Sequence, residues 1–208
     1  MKVENILLPV CAENCYLAIN EKLNQSIIID PGSAEDRIYA AVEASKTKPV
    51  AILLTHGHFD HAGVSLEVSQ HYQVKIYAAL AEKDTLENPM LNLSQAFIGQ
   101  SVSYKADVYL KDEEEIDLAG MHIRCLYTPG HTAGGCSYYF SYEGVCFTGD
   151  TLFHGSVGRT DFPGGSMSGI VRSIKEKLMV LPDDTICYPG HDSVTTIDQE
   201  RMYNPYIY

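Results

Sequence analysis

Four apolar runs of strand length each end in a short turn that presents histidine or aspartate. Ile52-Leu53-Leu54 runs into Thr55-His56-Gly57-His58-Phe59-Asp60-His61, and Cys125-Leu126-Tyr127 into Thr128-Pro129-Gly130-His131. Cys146-Phe147 leads to Thr148-Gly149-Asp150, and Ile186-Cys187-Tyr188 to Pro189-Gly190-His191. In open α/β sheets, ligand-binding groups collect outside the carboxyl ends of the strands, so these four turns are expected to converge on one edge. Glycines at 57, 130, 149 and 190 let the backbone turn sharply and approach the site closely.

The side chains at these turns are those that hold cations. His56 and His58 stand two apart and can reach one ion with His131, while Asp60 and His61 point to a second with His191. Asp150 is then left to bridge the two. Imidazole with carboxylate suits zinc, iron or manganese, with zinc the first expectation. A water held between two such ions has its pKa pulled from about 15.7 toward about 7, which supplies hydroxide at neutral pH. Each residue taken alone has a plainer reading: Asp60 precedes a helical run and fits an N-cap, and His131 and His191 could be turn residues. Their joint occurrence favours ligation.

Strand-length runs rich in Val, Ile, Tyr and Cys recur at 15–19, 26–29, 50–54, 74–78, 122–127, 136–140, 145–148 and 185–188. Helical patterns lie between them at 33–45, 61–72, roughly 80–86 and 166–181; the last carries Ile170, Ile174, Leu178 and Leu181 on one face. The pattern is interrupted at 88–105, and Asp112-Glu113-Glu114-Glu115 reads as a solvated turn. Alternating strands and helices in both halves predict an α/β layered unit, expected to be one domain over 1–208.

A formal charge of −12 with fifteen Lys and Arg spread along the chain argues against a nucleic-acid phosphate partner. The N-terminal apolar run is too short for an export signal, and no run reaches the roughly 18 apolar residues of a membrane span. A cytoplasmic location is therefore expected, and the six cysteines are read as free thiols, mostly buried. Asp30, closing Ile27-Ile28-Ile29-Asp30-Pro31-Gly32, is expected to orient the His56 loop from behind or to serve the turn itself. His71 and His122 are read as structural, His154 as a rim residue, and Tyr138, Tyr139 and Tyr142 as half-buried packing.

His56-x-His58-x-Asp60-His61, with His131, Asp150 and His191 downstream, resembles the metallo-β-lactamase superfamily over essentially the whole chain. The resemblance implies a four-layer αββα sandwich with the metals at one edge of two facing sheets. The lactamases most similar in the first motif carry cysteine or serine where this chain has Asp150, and flavo-diiron proteins carry glutamate at His58, so neither activity is expected. Phe147 to Phe153, Gly158-Arg159-Thr160-Asp161-Phe162-Pro163-Gly164-Gly165, Leu181 to His191, Thr195-Thr196-Ile197 and Asn204-Pro205 look like short, single-domain glyoxalase II-like hydrolases. Full-length glyoxalase II adds a helical domain with basic residues that grip glutathione. That domain is not expected here, and Asp192-Ser193 replaces the small pair usual after the His191 turn.

The resemblance implies hydrolysis of a thioester such as S-lactoylglutathione or a related acylthiol by metal-bound hydroxide, with Asp60 orienting the nucleophile and taking its proton. Arg159 falls where the family places a basic residue toward the glutathione carboxylate; a structural ion pair is its other reading. No protein nucleophile is needed, in keeping with the absence of a Gly-x-Ser-x-Gly elbow. Two rivals share the ligands: a persulfide dioxygenase holding one iron through His56, His131 and Asp150, similar at Gly158 to Phe162, and a lactonase. A non-enzymatic structural zinc centre fits less well, because such sites are closed by four ligands and rich in cysteine.

Overall fold

The structure, a computed structural model, describes residues 1–207; Tyr208, the last residue of the expected unit, lies outside them. One sheet has the order β1 (Lys2–Leu7), β2 (Asn14–Asn20), β3 (Gln25–Ile29), β4 (Lys48–Leu54), β5 (Lys75–Ala79) and β6 (Val108–Leu110). Its first three strands pair antiparallel and its last four parallel. The second sheet contains β7 (Glu115–Leu118), β8 (Met121–Tyr127), β9 (Cys136–Phe140), β10 (Val145–Gly149), β13 (Ile186–Pro189) and β14 (Thr195–Thr196), in the order β14-β13-β10-β9-β8-β7. A small hairpin of β11 (Leu152–Phe153) and β12 (Ser156–Val157) stands outside both.

Three apolar layers explain why the strands read as continuous hydrophobic runs, as strands covered on both faces do. Between the sheets, Ile27, Ile29, Ala51 and Leu53 meet Ile123, Cys125, Tyr138, Phe140 and Phe147. The alternate residues of the first sheet, Ile28, Ile52 and Leu54, face outward onto Ile38 and Val42 of α1 (Glu35–Ser45) and Val68 on a later helix. Outside the second sheet, Leu126, Tyr139 and Cys146 pack against Ile170, Ile174, Leu178 and Ile197. The result is the expected four-layer αββα sandwich, and all eight expected strands are present.

The helices depart from the sequence reading in instructive ways. The run expected over 61–72 is two pieces, α2 (Phe59–Ala62) and α3 (Ser65–Tyr72), because the Val64 amide bonds to the Pro31 carbonyl at 3.1 Å and bends the chain onto the Asp30 turn. His58 occupies the N-cap, Asp60 lies inside the first turn, and no side chain caps the helix. The N-cap reading of Asp60 therefore fails, and its carboxylate is left to face the site. The run expected at 80–86 is a 3-10 turn followed by α4 (Lys83–Glu87). Within the interrupted stretch 88–105 sits α5 (Ser94–Phe97). The pattern at 166–181 begins at α6 (Met167–Ser173), capped by Ser166, and continues as a π-helical turn at Ile174–Leu178. The chain then reaches α7 (Ile197–Tyr203). Among the described residues, no helix is long and apolar enough to cross a membrane.

Candidate metal centre

The turns after β4, β8, β10 and β13 meet at one edge of the sandwich, the first from one sheet and the other three from the other. His56 Nε2 lies 3.1 Å from His58 Nδ1, which lies 2.9 Å from His131 Nε2. On the far side, His61 Nε2 is 3.3 Å from His191 Nε2, and Asp60 Oδ2 is 3.7 Å from that same nitrogen. Asp150 stands between the groups: Oδ1 is 3.4 Å from His61 Nε2, and Oδ2 is 3.5 Å from both His131 Nε2 and His191 Nε2. All seven residues singled out in the sequence are thus brought together. Two sets, His56/His58/His131 and Asp60/His61/His191, have ligand atoms close enough to hold an ion each.

The tautomers follow from the outer hydrogen bonds. His131 Nδ1 donates to the Arg159 carbonyl at 2.8 Å, which leaves Nε2 with a lone pair aimed inward. Thr55 Oγ1 donates to Asp30 Oδ2 at 2.6 Å and so accepts from His56 Nδ1 at 3.1 Å, which frees His56 Nε2 in the same way. His61 Nδ1 reaches Asp30 Oδ2 at 3.1 Å. Lone pairs converging at about 3 Å repel unless a cation lies among them, and the buried Oδ1 of Asp150 has no hydrogen-bond partner. The donor set therefore fits divalent cations.

Electrostatics follow the same division. Burial, followed by the neighbouring imidazoles, pushes His56 and His58 well below the usual histidine range, so both are neutral ligands. Burial alone would also lower His61, but the carboxylates of Asp150, Asp30 and Asp60 outweigh it and raise its affinity for positive charge. For Asp150, burial acts upward and the surrounding histidines overcome it, so the carboxyl sits below its ordinary range.

Asp30 does what was expected and more. It accepts from the Thr55 amide at 2.7 Å and the Thr55 hydroxyl, and it also receives His61, so one carboxylate orients a ligand in each set. Its own φ of 52° places it in the left-handed region that aspartate tolerates better than most residues. At Gly190 a Cβ would stand 2.4 Å from Asp150 Oδ1 and 2.5 Å from His61 Cε1, so this glycine is required by close approach.

Several residues that shape the site gave no readable signal in the sequence. Glu82, fully buried, accepts from Gly57 N at 2.9 Å, Gly134 N at 2.9 Å and Thr132 Oγ1 at 3.0 Å, tying the His56 loop to the His131 loop. Asn14 Nδ2 donates to the carbonyls of Pro189 and Asp192, and the Tyr16 hydroxyl donates to Pro189, so β2 holds the His191 turn. That grip involves Asp192, where the chain departs from the glyoxalase II-like pattern. Glu13 is buried behind His61, 3.9 Å from Nδ1, with neither oxygen hydrogen-bonded. These partners come from distant strands and loops, which spacing does not reveal.

A cavity of about 440 Å³ opens over the cluster, lined by Asp60, Asp150, His58, His131 and His191 and by aromatic residues. Arg159 lines it too, with its guanidinium forked onto Asp161. Cys11, exposed, joins the rim, while the other five cysteines are buried and all six are free thiols. His154 is absent from the described lining, correcting its expected place there; Phe153 takes that position. His71 stacks on Tyr39 and His122 pairs with Asp117, as structural histidines do. Tyr138 and Tyr139 are buried in packing, whereas Tyr142 is 83 % exposed rather than half-buried.

Comparison with known proteins agrees with this geometry. The family profile described as Metallo-beta-lactamase superfamily matches residues 8–191. The chain is 36 % identical to the hydroxyacylglutathione hydrolase GloC of Haemophilus influenzae, covering 100 % of this chain and 98 % of that one. It is also 36 % identical to the probable metallo-hydrolase YqgX of Bacillus subtilis, over 93 % of this chain and 92 % of the relative. Among solved structures, the BLEG-1 B3 metallo-beta-lactamase superposes with a TM-score of 0.93 at 35 % identity, with 99 % of both chains covered. A di-iron-bound form of TTHA1623 gives 0.83 at 31 % identity, covering 98 % and 99 %. ETHE1 from Myxococcus xanthus gives 0.82 at 28 % identity, covering 99 % and 84 %.

Proposed function

Given that the chain belongs to the metallo-beta-lactamase superfamily, we propose that it is a two-metal hydrolase that cleaves a small-molecule thioester, such as S-lactoylglutathione or a related acylthiol. The observation that carries this reading is the pair of ligand sets flanking Asp150, His56/His58/His131 and Asp60/His61/His191, beneath one open cavity. Two divalent cations bound there would acidify a water held at the centre and polarise the substrate carbonyl. Zinc is the proposed metal, and the di-iron form of one relative makes iron the alternative to measure.

The chain's own residues supply the remainder. Asp60, held inside α2 with its carboxylate toward His191, orients the attacking water and takes its proton at Oδ2. Asp30 fixes the His56 and His61 rings through Thr55 and directly, which removes the reorganisation that loose imidazoles would require. Because one ligand loop comes from the first sheet and three from the second, the whole chain acts as one unit.

Elemental analysis combined with thioester turnover tests the proposal. Two metals per chain and hydrolysis of S-lactoylglutathione or a related acylthiol are expected. One iron per chain with oxygen consumption on glutathione persulfide would replace this reading with the dioxygenase. Because BLEG-1 is described as a B3 metallo-beta-lactamase, β-lactam opening belongs in the same assay; thioester turnover exceeding it is expected.

A further inference from the structure

Four of the chain's six phenylalanines, Phe59, Phe97, Phe153 and Phe162, face the cavity over the metal-ligating cluster. Three of them make a continuous wall that ends on a candidate ligand. Phe59 stacks on Phe97 with ring centroids 5.6 Å apart, Phe97 meets Phe162 edge-on at 5.6 Å, and Phe162 meets His58 edge-on at 5.8 Å. The wall is not sealed against water: Phe97, carried on α5, is 55 % exposed. Exposed apolar surface beside a polar reaction centre is stabilised when a ligand covers it, because that area is removed from water.

The charge inventory points the same way. Arg159 is the lone Lys or Arg among the described residues lining the cavity, and its guanidinium is engaged by Asp161 through Nε and Nη2 at 2.7 Å each. Its plane lies over the Phe162 ring, 3.9 Å from the centroid, which extends the wall rather than leaving a free cation. Asp192 adds an acid to the rim. A substrate bearing several carboxylates finds, beyond the metal positions, no Lys or Arg in the described lining that is not already ion-paired, and a small polar acyl group such as lactoyl leaves the aromatic wall uncovered.

Resting on the thioester reading above, we infer that this cavity selects thioesters carrying an aromatic group beside the sulfur, laid against Phe59, Phe97 and Phe162, rather than multiply charged ones. In the reaction, water supplies the oxygen of the new acyl C–O bond and the C–S bond breaks. The thiol leaves with one proton while a second is released as the acid product ionises, and no oxidant or reductant is required.

The test uses the metal-loaded full chain and compares kcat/KM for S-lactoylglutathione, S-phenylacetylglutathione and the lactoyl thioester of benzyl mercaptan. At least one aromatic substrate is expected to exceed S-lactoylglutathione by about tenfold or more, and which one does so tells whether the acyl or the thiol half meets the wall. Phe97→Ala and Phe162→Ala are expected to bring that ratio toward one. Equal or poorer turnover of both aromatic substrates, or a ratio that survives both variants, overturns the inference. A preference for glutathione over its aromatic rivals that Arg159→Ala abolishes also overturns it. If no thioester is cleaved, the hydrolase reading has failed separately, and calorimetric binding of S-benzylglutathione against S-methylglutathione still reads the wall. Tighter S-benzyl binding lost in Phe97→Ala supports it, and equal binding overturns it.

Discussion

Replacing Glu82 by glutamine should separate what this buried carboxylate does for stability from what it does for the metal loops. Burial raises its pKa from 4.5 to about 7, against the opposing effect of hydrogen bonds from Gly57, Thr132 and Gly134. Below 4.5 both the folded and the unfolded chain hold the proton. Between 4.5 and 7 the unfolded chain has released it and the folded chain has not, so stability falls as pH rises, and above 7 the loss is complete. A shift of about 2.5 units at about 1.4 kcal/mol per unit makes that loss roughly 3 kcal/mol. Glutamine does not titrate, so the stability of Glu82→Gln relative to the parent should rise by about 2 kcal/mol between about pH 5.5 and pH 7. Urea unfolding of the metal-free proteins measures this. At about pH 8, where the parent's Glu82 is ionised, metal affinity of the variant should fall by about 10- to 100-fold, because the amide group opposes Gly134 N and Thr132 Oγ1 with donors where the carboxylate accepts. Parallel stability curves for the two proteins, or unchanged competition against a chelator, would refute the assignment of Glu82 as the clamp between the two ligand loops.

Three further outcomes are expected. Asp30→Asn removes the charge that holds Thr55 and His61, and should weaken metal binding by about 10- to 100-fold with far-ultraviolet dichroism retained. Asp60→Ala should leave one metal per chain, read by elemental analysis, and lower thioester kcat by about 10²-fold or more; full activity with one iron would sink the two-metal reading. Gly190→Ala drives a methyl against Asp150 and His61, so the purified variant should lose the second metal before it loses its fold, with the two followed by metal content and thermal melting.

The site was legible in the sequence to the extent that it is local. His56, His58, Asp60 and His61 share one turn, and His131, Asp150 and His191 each follow an apolar run and a glycine. The strands were legible for a related reason: covered on both faces, they read as unbroken hydrophobic runs. Elements without a buried run escaped, including β1, whose residues are all exposed or half-buried, and the short α5, hidden in a stretch that reads as an interruption. Helix breaks escaped as well: Gly63 marks the weak point, but the bend at Val64 is made by its bond to the Pro31 carbonyl, thirty-three residues away by number.

By itself, then, the sequence determined a layered α/β unit and the seven candidate metal-holding groups, because hydrophobic period and turn chemistry act over a few residues; the four-layer sandwich was implied only by the family resemblance. Tertiary structure alone decided which lone pairs face inward, through Asp30, Thr55 and the Arg159 carbonyl, and which carboxylate clamps the loops, through Glu82. It also decided that Asp60 is free of capping and that four phenylalanines, from α2, α5, β11 and the loop after β12, close around one cavity. Those outcomes depend on contacts between residues far apart in the chain, and only the face-to-face packing of the two sheets, which brings their ligand-bearing turns to one edge, puts such residues within a hydrogen bond of each other.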